Sequence, residues 1–73
     1  MNDKTVMIAD MVKNLALLLI RQDDTLTMKE ALSYVFNSDT YRKITNEETR
    51  LYYQSPRYVF AFLDEEIKKG KIG

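Results

Sequence analysis

Residues 3–22 read DKTVMIADMVKNLALLLIRQ, and the placing of apolar side chains along this stretch decides the fold. Ile8, Val12, Leu15 and Leu19 recur at spacings of four, three and four, as one face of a helix requires. Ala9 and Ala16 flank that face. Met7, Met11 and Leu18 widen the apolar surface on one side and Ile20 on the other, which leaves Asp10, Lys13, Asn14 and Arg21 as a narrow polar strip. At 100° per residue the apolar arc is on the order of 200°, about twice that of an ordinary surface helix. Asn2 or Asp3 can cap its start. Such a helix is either central to the fold or shared with a second chain.

Downstream the signals are local and strong. Asp23 to Leu26 reads as a loop. Thr27-Met28-Lys29-Glu30 has the form of a capping box, in which the threonine hydroxyl and the glutamate carboxylate each satisfy a free backbone N–H of the other. Met28, Ala31, Leu32, Val35 and Phe36 follow at i, i+3, i+4, i+7 and i+8, with Leu26 placed to staple the helix from outside and Asn37 to end it. Ser38-Asp39 can cap a short helix that turns Tyr41 and Ile44 inward. Residues 45–49 are polar and read as a loop or single turn. Leu51-Tyr52-Tyr53 alone has strand propensity, but with three residues and no pairing partner it is expected to be extended loop. Ser55-Pro56 starts the last helix, because proline at the first helical position loses no hydrogen bond. Val59, Phe60, Leu63 and Ile67 give that helix a core face, Tyr58 and Phe62 project from another side, and Gly70 suits its C-terminal end. The expected fold is all-α, a single domain built as a small bundle of three main helices and one short one.

A chain of 73 residues buries only about 60% of the surface it exposes when unfolded, so its core is thin and needs support. With no cysteine, disulfides and thiolate metal sites are excluded; with no histidine, the commonest general base and metal ligand is missing. A partner chain is the support that remains. Eleven basic and eleven acidic residues cancel, and the balance holds in each half of the chain, which is not the basic surface that nucleic acid or an anionic membrane selects. The longest apolar run, residues 15–20, is far short of the roughly 20 residues of a membrane span. The N-terminus lacks the pattern of a signal peptide, so the cytoplasm is the expected location.

The candidates for chemistry each have a plainer reading. Ser55 stands where a helix cap belongs rather than a nucleophile. Asp64, Glu65 and Glu66 point about 100° apart on a helix and cannot converge on one ion. Asp23-Asp24 lacks the further ligands of a calcium loop, and no glycine-rich phosphate loop occurs. No enzyme activity, cofactor or small-molecule substrate is expected. Two short helices between Thr27 and Ile44 suggest a helix-turn-helix. A nucleic-acid surface would then use Arg42, Lys43, Arg50 and Arg57, with nearby tyrosines as stacking platforms. The reading that the residues carry better is a protein interface. The apolar surplus of the first helix at Met7, Met11 and Leu18, with Tyr58 and Phe62 of the last, is expected to lie exposed or against a second chain, in a homodimer or a complex with another protein.

The segment Ser38-Asp39-Thr40-Tyr41-Arg42-Lys43-Ile44, followed by Leu51-Tyr52-Tyr53-Gln54-Ser55-Pro56, resembles a group of short bacterial proteins of unknown function. These share an alanine-containing helix, an S-x-x-Y-x-x-L/I segment and an L-Y-x-x-S-P segment before a last acidic helix. The resemblance covers residues 15–67. Such proteins are sometimes encoded beside toxin–antitoxin-type genes, which implies a partner-binding role in a regulatory complex.

Overall fold

The first apolar stretch forms one uninterrupted helix of 20 residues, α1 (Asp3–Gln22), with an acid in its first turn and Arg21 in its last, both favourable to the helix dipole. In the computed structural model, which describes residues 3–70, α2 (Met28–Phe36), α3 (Asp39–Thr45), a 3-10 turn (Leu51–Tyr53) and α4 (Pro56–Lys68) follow. No strand occurs among the described residues, so the fold is all-α. The alternative cap Asn2 lies outside the described residues.

Side-chain caps set the helix boundaries. The Glu30 N–H donates to Thr27 Oγ1 at 3.1 Å and the Thr27 N–H donates to Glu30 Oε1 at 3.0 Å, completing the capping box. Ser38 is 1% exposed and joins two helices: its hydroxyl donates to the last turn of α2 at Val35 O (2.6 Å) and accepts from the Tyr41 N–H of α3 (2.9 Å). Ser55 accepts from the Tyr58 N–H at 3.2 Å, with Pro56 behind it. Gly70 closes α4 at φ 70°, in the left-handed region where glycine carries no steric penalty. Leu51 to Tyr53 form the 3-10 turn rather than the extended loop expected from their propensity. Arg50 at φ 53° reverses the chain there, and Leu51, 8% exposed, joins the core, so packing outweighs strand preference in so short a segment.

Leu15, Ala16, Ala31, Val35, Ile44, Val59 and Leu63 are fully buried, bringing all four helices to one cluster. On α1 the buried set is Met11, Val12, Leu15, Ala16 and Leu19, an arc of about 140° at 100° per residue. Met11 is 4% exposed. The expectation that it is left uncovered is therefore corrected: the chain buries this edge of α1 itself.

Polar links fasten the helices. Gln22 Nε2 donates to Asp64 Oδ1 at 2.9 Å, and Lys68 pairs with the other oxygen of Asp64 at 2.8 Å. The Lys68 hydrogen bond first, then that from Gln22, holds the Asp64 carboxyl below its ordinary range. Lys4 of α1 pairs with Glu47 at 2.7 Å, and this contact likewise lowers the Glu47 carboxyl. Glu66 makes the deepest link. Its carboxylate accepts from the Asp39 N–H (2.9 Å), the Thr40 N–H (2.6 Å) and the hydroxyl of fully buried Thr40, so α4 caps the start of α3 from 26 and 27 residues away. Replacing Glu66 by Ala strands these donors and is expected to cost about 2 kcal/mol in urea unfolding; a cost near zero would show that water replaces the carboxylate.

Candidate protein-interaction surface

A broad apolar concavity lies between α1 and α2. It encloses about 600 Å³ and is lined on α1 by Ile8, Ala9 and Val12, on α2 by Met28, Leu32 and Phe36, and at one end by Tyr41, with Lys13 as the single charged side chain. Its origin is a difference in length. At 1.5 Å per residue α1 runs about 30 Å and α2 about 14 Å, so α2 cannot cover all of α1. The apolar face of α2 is also wider than its contact with α1. Ala31 and Val35 are buried, whereas Met28 is 39% and Phe36 52% exposed. The Phe36 ring is steadied by edge-to-face contact with Tyr41, centroids 5.2 Å apart at 76°, so this wall is held in place rather than loosely hanging.

The residues expected to form the interface do not gather on one face. Met11 is core. Met7 is half-buried and shares a shallow recess with Tyr52, Tyr53 and Pro56. Leu18 is half-buried. Tyr58 is 54% exposed and stacks edge-to-face on Phe62 at 5.6 Å, on the side of α4 that faces α3. The residues considered for nucleic acid lie on α3, at the turn before the 3-10 segment and at the start of α4. Arg42 pairs with Asp39 at 3.2 Å, and Lys43 sits 5.5 Å from the centre of the Phe62 ring, in a cleft also lined by Asp39, Glu65 and Glu66. Arg50 occupies the chain reversal and Arg57 the first turn of α4, both exposed. Arg42 is thus paired with a carboxylate of its own helix, while Lys43 lies over an aromatic ring in a cleft that carries both carboxylates and Lys69.

Ser55, the one serine considered as a nucleophile, spends its hydroxyl oxygen on the α4 cap. No group of three or more metal-ligating side chains assembles among the described residues.

Two apolar sets face outward that the sequence does not mark as such: Met28 and Phe36 on α2, and Val6 and Leu17 on the outer side of α1, at 43% and 40% exposure. Val6 and Leu17 interrupt the polar strip of α1, and that interruption was the available signal. Comparison with models of protein families, with curated proteins and with solved structures found no match for this chain.

The groove wall and the core are expected to respond differently to truncation. Phe36→Ser should change unfolding free energy by no more than about 1 kcal/mol, whereas Met11→Ser should cost about 3 kcal/mol. Equal costs in urea denaturation would contradict this division between surface and core.

Proposed function

We propose that this chain is a cytoplasmic, non-enzymatic protein-interaction module that works as a homodimer, with the α1–α2 groove receiving an apolar helical segment of a second protein. The observation that carries this reading is the groove. Monomeric proteins rarely leave large contiguous apolar surface open, and here an aromatic ring, a methionine and aliphatic side chains of two helices line one concavity. Two helices side by side form the cradle that an amphipathic helix enters, with anchors at i, i+3, i+4 and i+7. The resemblance to short bacterial proteins encoded beside toxin–antitoxin-type genes agrees with a partner of this kind, so the module is assigned to a regulatory complex of that type.

A photo-crosslinking residue placed at Phe36 in the full chain, expressed in the organism of origin, tests the reading. A discrete adduct with one other polypeptide is expected from this position, and none from the same residue placed at Tyr53, which is 62% exposed but outside the groove. No adduct at Phe36, or the same adducts from both positions, would overturn the proposal.

A further inference from the structure

Beside the groove, α1 carries a second unpartnered face that points directly away from the core. Val6, Asp10, Lys13 and Leu17 are spaced four, three and four apart and fall within about 60° of one another around the helix. All four are exposed, and no ion pair among the described residues engages Asp10 or Lys13. Along the helix the order is apolar, acidic, basic, apolar.

From this order we infer that two copies of the chain pair antiparallel through α1, about a two-fold axis that passes between Met11 and Val12. The inference rests on the homodimer reading and names the surface that forms it. In this register Val6 of each copy meets Leu17 of the other, and Asp10 of each meets Lys13 of the other. One contact type thus occurs twice, as an isologous interface demands. Competing arrangements are penalised by the same four residues. A parallel pair sets Asp10 against Asp10 and Lys13 against Lys13. An antiparallel pair slipped by three residues sets two copies of Asp10, or two of Lys13, opposite each other. Charges in a helix–helix seam select register in this way and lower its stability. Ala9, beside the seam, offers little bulk to keep the backbones apart.

The face runs about 17 Å along the helix. A single helix pair of that length buries less than the ~800 Å² per partner of a tight complex, so the dissociation constant is expected on the order of 10–100 µM. The seam takes up Lys13 at the edge of the groove but not the groove's apolar lining at Ile8, Met28, Leu32 and Phe36.

Charge exchange in the full chain tests the pairing by sedimentation equilibrium, with circular dichroism to verify folding. Asp10→Lys gives the face two positive charges and Lys13→Asp gives it two negative ones. Each variant alone is expected to self-associate at least about tenfold more weakly than the parent chain, because both reciprocal pairs become repulsive. An equimolar mixture of the two should form heterodimers, and the double variant Asp10→Lys/Lys13→Asp should recover homodimers, since each regains opposite charges across the seam. A parent chain that stays monomeric at 1 mM (about tenfold above the weakest constant expected) overturns the inference. So does a dimer that neither single variant weakens, or one that the mixture and the double variant fail to restore. The groove reading is judged separately, by the adducts at Phe36.

Discussion

At 1.5 Å per residue, α1 extends about twice as far as α2, and no other helix of the chain matches it. Leu15, Ala16 and Leu19 find full cover from α2, α3 and α4, and Met11 is covered as well. The remaining apolar groups of α1 lie along its flank beside α2, on its outer side, and at half-buried Met7 and Leu18 on the opposite flank. In a chain this small there is no further helix to lay over them. The groove at Ile8, Ala9 and Val12 and the outer face at Val6 and Leu17 both follow from that shortage, and both proposed contacts make use of it.

The polar groups are engaged mostly in holding the helices in place. The hydroxyls of Thr27, Ser38 and Ser55 close helix starts, and Glu66 fastens α4 to the first turn of α3. Every buried side-chain polar atom among the described residues has a partner. An unsatisfied buried donor costs about 1–3 kcal/mol, a large part of the stability of so small a domain, so these links matter as much as individual core side chains.

What the sequence reveals here is whatever depends on near neighbours. The capping box at Thr27 and Glu30, the Ser55-Pro56 start and the Gly70 end all lie within one helical turn or so, and all are legible. Two kinds of information are not. Glu66 reaches a helix start 26 residues earlier, and nothing local marks it out from Glu65 beside it. The other is which edge of α1 is covered. Periodicity gives the width of an apolar arc but not the direction from which other helices approach. Met11 was therefore expected at the surface and is core, while Val6 and Leu17 sit opposite the core among polar neighbours. The 3-10 turn at Leu51 is a tertiary outcome of the same kind.

The division of α1 and α2 into covered and uncovered edges is open to direct chemical reading through their methionines. Mild peroxide treatment of the folded chain converts methionine to its sulfoxide at a rate that follows exposure, and peptide mass spectrometry resolves each site. Met28, on the groove wall, is 39% exposed and Met11, in the core, is 4% exposed. Met28 is expected to oxidise at least about tenfold faster than Met11, with half-buried Met7 between them. Oxidation of Met11 as fast as Met28 in the folded chain would place the apolar surplus on the other edge of α1 and contradict the account.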